Sequence, residues 1–387
     1  MATLISRNYG RIVGIHVMGG IHINLKDKVK NLPSTPGVYL MKDSLGCIIY
    51  VGKSKNLKNR VQSYFQNSKS HTQKVKKLVQ NLKDFDYILT DTEFEAFMLE
   101  CKLIKEIKPT YNKKMKSPQS YTYIVIKMDE EYRKIELTNC TIENDNNIYF
   151  GPYSSKSSVE KILQGLKEFL KINCSNPSNK KVACLNYSLG MCIGMCLGGS
   201  AIEQYNEILD KIISLLNGTD KSILEDLKER MLNASENFDF ETAAKYRDLI
   251  ESLNFLLNRE KVIAFTKENH NIAMIEHLSE HTIKLFLIKG NKVLFCEKFA
   301  LEAINFELIR SMIRSNIFIC FKNAAFHSPL EISSEDIDEA QIIYSYLKGS
   351  PSNNRTIPEH WLDSEDNPNL VEEIDKLLDP VYELLSK

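Results

Sequence analysis

Gly37-Val38-Tyr39-Leu40-Met41 and Ile48-Ile49-Tyr50-Val51-Gly52-Lys53 are two short runs of strand formers, separated by Asp43-Ser44-Leu45-Gly46. Asp, Ser and Gly between two such runs are a turn signal, so residues 36–52 read as a β-hairpin. The pattern then changes period. Leu57, Val61, Tyr64 and Phe65 recur at helical spacing within Asn56–Phe65, and a second helix follows over Thr72–Leu82. Phe85–Leu89 reads as a third strand. Thr92 opens a further helix to Lys108, with Glu95 placed to complete a capping box and Pro109 to stop it. Strands alternating with helices over a hundred residues predict one small α/β domain with a small mixed sheet.

Further along, Tyr121–Ile126 and Asn147–Phe150 look extended, and Phe150-Gly151-Pro152-Tyr153 reads as a turn into a helix over Ser157–Lys171. Residues 201–258 are strongly helical, broken by Gly218. From Val262 the pattern becomes alternating: Ile272-Met274, Thr282–Ile288, a Gly290-Asn291 turn, then Val293–Phe299. This is a small β-rich region ending in helices, with Pro351–Pro368 read as a polar loop. The expected division is 1–24 an extension, 25–115 the α/β domain, 116–200 a linker with a cysteine segment, 201–258 a helical region, and 262–387 a β-rich segment with an acidic helical tail.

The chain has 387 residues and no formal net charge, yet the charge is unevenly spread. Residues 1–120 hold 21 Lys+Arg against 9 Asp+Glu, whereas residues 321–387 hold 5 against 14. A basic front end suits a polyanionic partner. Its lysines (Lys53, Lys55, Lys58, Lys69, Lys74, Lys76, Lys77) crowd around Tyr64-Phe65, which favours nucleic acid over a merely solvated helix face. The acidic tail reads as a solvating surface. No apolar run approaches the roughly 18 residues of a membrane span, so the expectation is a soluble cytoplasmic protein.

Cutting a phosphodiester needs an activated water, charge neutralisation at the phosphate and help for the leaving oxygen. The hairpin supplies two tyrosines, Tyr39 and Tyr50, expected side by side across the strands. Gly52 is expected to let backbone approach a ligand. Lys53 is expected to lower a neighbouring tyrosine's pKa. Arg60 on the next helix suits phosphate oxygens, and Tyr64 lies one turn further on the same face. On the Thr92–Lys108 helix, Ala96, Leu99, Leu103 and Ile107 form an apolar stripe with Glu100 at its edge. A carboxylate there suits one hard-cation ligand, Mg²⁺ or Mn²⁺. The bland reading is a cap or salt-bridge partner. Asn112 is either a turn residue or a support for the site.

Nine cysteines without a secretory signal argue against a disulfide framework. Cys174, Cys184, Cys192 and Cys196 fall within 23 residues and read as metal ligands, with the spacing leaving zinc and iron–sulfur both open. In Leu227–Leu253, Asn237–Phe240 is a tight connection between two antiparallel helices. A lone hairpin of this size buries little apolar surface and should pair with another.

The ordered set is more specific than any member. Leu32-Pro33-Ser34-Thr35-Pro36-Gly37-Val38-Tyr39-Leu40-Met41, Ile49–Leu57, Arg60-Val61, Ser63-Tyr64-Phe65, Leu99-Glu100, Leu103-Ile104-Lys105 and Pro109-Thr110-Tyr111-Asn112 together resemble the GIY-YIG nucleases, and among them the UvrC family of nucleotide-excision repair. Ala183-Cys184-Leu185-Asn186-Tyr187, Gly190–Cys196 and Glu236–Asp248 extend the resemblance, the last to the UVR motif. It implies a GIY-YIG nuclease domain in which Tyr39 and Tyr50 position or deprotonate the water, either being a candidate general base. Lys53 and Arg60 would bind phosphate, with Lys55 and Lys58 along the DNA. Glu100 would hold the metal, and Tyr64 and Asn112 would support the site. The four cysteines would hold a [4Fe–4S] cluster, with Zn²⁺ as the alternative. Phe238, Phe240, Arg247 and Asp248 would contact UvrB. One departure is Cys101-Lys102, where the family often has asparagines.

The implied activity is endonucleolytic incision of damaged double-stranded DNA 3′ of a lesion, with UvrB docking and UvrA upstream. Neither an RNase H-like acidic–histidine triad nor tandem helix-hairpin-helix motifs are found in the sequence, so a 5′ cut is not expected of this chain. The rival is a non-catalytic UvrB- and DNA-binding module that competes with or scaffolds a full-length UvrC.

Overall fold

The computed structural model describes residues 25–66, 72–112, 121–128, 132–142, 144–175, 182–301, 306–324, 334–349 and 353–385. The expected extension 1–24 and Lys69 lie outside them. The chain divides into two compact units. One joins residues 1–117 to residues 265–387, and the other comprises residues 118–264.

In the first unit, α1 (Leu25–Lys30) leads into β1 (Gly37–Lys42) and β2 (Ile48–Ser54). Asp43 closes their turn by accepting the N–H groups of Leu45 and Cys47 at 2.9 Å. Two helices, α2 (Leu57–Phe65) and α3 (Gln73–Asn81), carry the chain to β3 (Asp84–Leu89), and α4 (Glu93–Ile107) follows. The strand order is β2-β1-β3. Where a mixed sheet was expected, both pairings are antiparallel, because the two-helix connection returns β3 beside β1 with reversed direction.

The period-2 alternation sends Tyr39, Met41 and Phe85 to one face, where they pack with Leu57, Val61 and Leu78 of α2 and α3. Val38, Leu40, Val51 and Ile88 go to the other, against Ala96, Leu99 and Leu103 of α4. The start of α4 is set by a capping box: Glu95 N–H donates to Thr92 Oγ1 at 3.1 Å, and Thr92 N–H donates to Glu95 Oε2 at 3.2 Å.

A second face of α4 is also buried. Phe94, Met98 and Cys101 pack on a four-stranded antiparallel sheet, order β10-β7-β8-β9, formed by β7 (Asn271–Ser279), β8 (Thr282–Lys289), β9 (Lys292–Ala300) and β10 (Asn353–Ile357). Helix α4 therefore lies between two sheets. The Cys101 thiol is buried and pushed up to about 12, the state of an inert thiol. Ile342 and Ile343 of α11 (Ser334–Gly349) share this layer. The far face of the second sheet is covered by α10 (Phe306–Ala324) and α12 (Pro368–Leu385). Strand β10 falls in the stretch read as a loop. Its sequence Asn-Asn-Arg-Thr-Ile carries one apolar residue, Ile357, and an edge strand needs little more.

The second unit holds the sheet β5-β4-β6, from β4 (Thr122–Lys127), β5 (Lys134–Thr138) and β6 (Ile148–Tyr153). Strand β6 runs through the Gly151-Pro152 pair that had read as a turn, and Tyr153 pairs with Thr122. Helices α5 (Lys156–Phe169), α7 (Ser200–Asn217), α8 (Ser222–Glu236) and α9 (Phe240–Glu268) contribute to one core with this sheet, and the short α6 (Leu185–Ser188) lies in the cysteine segment. Gly218 ends α7 in the left-handed region, φ 78°, as its position in the sequence suggested. Helix α9 runs to Glu268, past the Val262 where alternation was expected to begin. Val262 and Ile263 are buried on that helix rather than on a strand.

Candidate active site

The seven residues singled out in the first domain gather around β2. Tyr39, nearly inaccessible to solvent, stands in β1 with its direct partner across the hairpin being Gly52, not Tyr50. Tyr50 pairs with Met41, so the two tyrosines are diagonal neighbours with ring centroids 6.1 Å apart. This register explains Gly52: a Cβ there would overlap the Tyr39 ring and hydroxyl. The glycine makes room for the Tyr39 ring. Helix α2, capped by Asn56 through the Asn59 N–H at 2.9 Å, brings Tyr64 to the same place. Its Oη lies 2.9 Å from Tyr39 Oη.

Burial drives the Tyr39 hydroxyl well above the usual phenol range, reinforced by Tyr64 and Tyr50. Tyr50 is raised for the same reason. The cation that opposes both shifts is Arg60, one turn before Tyr64 on α2, whose guanidinium sits 5.3 Å from the Tyr64 ring. Lys53 was expected in that role and does not fill it. Its ammonium bonds Glu93 at 2.7 Å and lies 3.4 Å from the centre of the Phe97 ring.

Glu100 is half-buried on α4 and accepts the Lys53 backbone N–H on Oε1 at 3.1 Å. Burial pushes its pKa up, opposed by Lys53 and Arg60. A half-buried carboxylate held up by desolvation, with one oxygen occupied by a backbone donor, suits a single hard cation. Asn112 is buried and clamps the free edge of β2: its Oδ1 accepts Val51 N–H at 2.9 Å, and its Nδ2 donates to Val51 O at 2.8 Å. The amide thus acts as one more strand. Asn112→Ala should cost about 1–3 kcal/mol, since it leaves two buried backbone groups unpaired, and thermal unfolding of the full chain measures it. Lys55 is exposed and Lys58 half-buried on the α2 side, and Lys74 at the start of α3 reaches 5.9 Å from the Tyr50 ring centre. Sequence reading missed Glu93 and Phe97, although their i, i+4, i+7 spacing with Glu100 marks one helix face.

In the second unit, Cys174, Cys184 and Cys196 place their sulfurs within 4.8 Å of one another, with Cys192 packed in the same cluster. The Cys174–Cys184 sulfur separation is 3.8 Å. Cys184 is pulled down to about 6: burial raises it, but bonds from Ser175, Tyr187 and Cys196 outweigh that. The tip between α8 and α9 leaves Phe238 and Phe240 80% and 64% exposed, with their rings edge to face at 6.2 Å. Arg247 and Asp248 pair with each other on the surface at 2.7 Å. The base of this hairpin is anchored by Leu227, Ile250 and Leu253 in the core of its unit.

Three family models match in order along the chain: a UvrC-like GIY-YIG domain over residues 35–113, the middle domain of the UvrC/Cho excinucleases over 121–215, and the UvrB/UvrC motif over 221–254. The chain belongs to the UvrC family. The UvrABC system protein C of Clostridioides difficile (strain 630) is 37% identical over 343 residues, 86% of this chain and 56% of that protein. The homologue from Acetivibrio thermocellus is 36% identical over 332 residues, 84% and 53% respectively. The chain thus spans about half the length of the curated UvrC relatives it matches. The solved GIY-YIG N-terminal endonuclease domain of UvrC from Thermotoga maritima, bound to magnesium as its catalytic divalent cation, is 39% identical. It covers 23% of this chain and 94% of its own, with a TM-score of 0.21. No helix among the described residues is long and apolar enough to cross a membrane.

Proposed function

We propose that this chain is a metal-dependent endodeoxyribonuclease of nucleotide-excision repair, hydrolysing one phosphodiester 3′ of a lesion in double-stranded DNA while docked on UvrB. The observation that carries this is the convergence of Tyr39, Tyr50, Arg60, Tyr64 and Glu100 around the edge strand β2, with Glu100 reaching it from the helix on the opposite face of the sheet. A divalent cation, Mg²⁺ or Mn²⁺, held by Glu100 would neutralise phosphate charge and supply a more acidic water. Arg60 binds a phosphate oxygen and lowers the tyrosines beside it. Tyr39 or Tyr50, as phenolate, takes the proton from the attacking water as that oxygen bonds phosphorus. The bond from phosphorus to the leaving sugar oxygen breaks, that oxygen takes its proton from solvent, and Tyr64 fixes the Tyr39 hydroxyl.

Both tyrosines sit above the usual phenol range, so the basic form becomes more abundant as pH rises. The single-turnover rate should therefore climb with pH through the neutral range, with a log–log slope near ~1. Comparison of Tyr39→Phe with Tyr50→Phe assigns the base: only the variant lacking it loses the slope.

The exposed Phe238–Phe240 tip supports UvrB docking, because two adjoining exposed aromatic rings on an anchored hairpin are a ready hot spot. Replacing both with alanine should weaken UvrB capture while incision chemistry persists. For the cysteines, the resemblance favours a [4Fe–4S] cluster, while a 3.8 Å sulfur separation suits one tetrahedral zinc with bonds of about 2.3 Å. Anaerobic purification distinguishes them: broad visible absorption lost in Cys184→Ser marks iron–sulfur, and a colourless protein with one zinc marks the other.

The decisive assay uses a duplex with one defined bulky lesion, labelled at either end, with UvrA, UvrB and Mg²⁺. A single cut 3′ of the lesion is expected. No cut on either side, with UvrB binding intact, would instead make the chain a docking module that competes with or scaffolds a full-length UvrC.

A further inference from the structure

Lys53 is tied to α4 at both ends. Its backbone N–H bonds Glu100, while its ammonium bonds Glu93 at 2.7 Å above the Phe97 ring. Glu93, Phe97 and Glu100 share one helix face, and seven residues put Glu93 about 10 Å up the axis from Glu100. The ammonium is thus neutralised at the first turn of α4. Neither partner is freely solvated: the side chains of Lys53 and Glu93 are 25% and 35% exposed. A cation already paired with a carboxylate has most of its attraction for phosphate cancelled until that carboxylate is displaced, and the ring beneath holds it in place during the exchange.

We propose that Glu93 and Phe97 form a seat that keeps the Lys53 ammonium in reserve, and that a backbone phosphate of the strand to be cut displaces Glu93. The seat makes Lys53 available only to DNA whose phosphate reaches the first turn of α4, so Glu93 and Phe97 are positioning residues that favour correctly placed DNA. This rests on the reading of Lys53 as a phosphate ligand.

The test is a double-mutant cycle on the full chain, reading binding of a fluorescein-labelled duplex carrying one bulky adduct as KCl is varied. Glu93→Gln should bind about five-fold more tightly and steepen the salt slope by roughly one, since one more cation faces phosphate. In a Lys53→Met background both gains should vanish. A gain that persists there is generic removal of negative charge and overturns the proposal. So does Glu93→Gln binding no more tightly than the wild type.

Reductive methylation without DNA reads the seat by itself. Lys53 should react more slowly than Lys55, and Glu93→Gln should abolish the difference. Unchanged reactivity overturns the seat whatever the binding data. If the wild type binds no DNA at any salt, the nuclease reading falls and the phosphate exchange with it. Protection of Lys53 would then mark only a salt bridge.

Discussion

Glu100→Gln is expected to reduce single-turnover incision by about a thousand-fold or more, while DNA affinity and the thermal midpoint stay near wild type. Glutamine keeps the shape and still offers an oxygen to the Lys53 N–H, so the 3.1 Å bond that ties β2 to α4 survives. What disappears is the single negative charge. No other carboxylate bonds the Lys53 N–H among the described residues, and Glu93 is occupied by the Lys53 ammonium. Raising Mg²⁺ or substituting Mn²⁺ should therefore rescue little. Incision within ten-fold of wild type would remove Glu100 from the role of cation ligand. A fall in thermal midpoint matching the loss of activity would reassign it to structure.

Lys284→Ala is expected to destabilise the first unit by about 3–5 kcal/mol, the cost of leaving the buried Glu95 carboxylate without its cation. Lys284 is 4% exposed in β8 and bonds Glu95 and, at 2.7 Å, Asp91. Glu95 is also the capping-box residue of α4. Removing the lysine strands a carboxylate at the start of the helix that carries Glu100, so activity should fall along with stability. Calorimetry of the full chain measures the first effect. Adding Glu95→Gln and Asp91→Asn to Lys284→Met should recover much of the loss, because no buried charge is then unpaired and Lys298, the cation left without Asp91, is largely solvated.

The pH dependence has a definite sign. Burial would raise Asp91, but Lys284 and Lys298 outweigh it and hold the carboxyl low. Its contribution is present above the unfolded value of about 4 and is lost as pH falls through the lower folded value. Burial would lower Lys284, but Glu95 and Asp91 outweigh it, so its contribution persists until pH rises through the raised folded value. The gap in thermal midpoint between wild type and Lys284→Ala should thus be widest between those limits and narrow in acid.

Much of the nuclease-like domain was legible without coordinates. The hairpin, the three helices after it and the Thr92/Glu95 capping box follow from periodicity and local hydrogen-bonding chemistry, which act over a few residues. The positions of Tyr39, Arg60, Tyr64 and Glu100 were legible as an ordered set. Their relations were less so. Tyr39 and Tyr50 looked directly paired, but a bulge between Met41 and Lys42 sets the register, and it put Gly52 opposite Tyr39. The Ala96–Leu103 stripe was visible on α4, yet Phe94, Met98 and Cys101 announce a second buried face only once a sheet about 170 residues later in the chain is there to cover it.

The sequence by itself determined most elements of the first domain, the candidate site residues and their order, and the family. Those depend on neighbours along the chain and on motifs that survive as contiguous text. Only the tertiary structure decided where the Lys53 ammonium goes, what Gly52 is for, how Asn112 closes the β2 edge, and that a polar stretch ending in Ile357 is a strand. Each of these is a contact between residues distant in sequence, chosen by which buried donor, acceptor or charge would otherwise lack a partner. No local pattern encodes that choice.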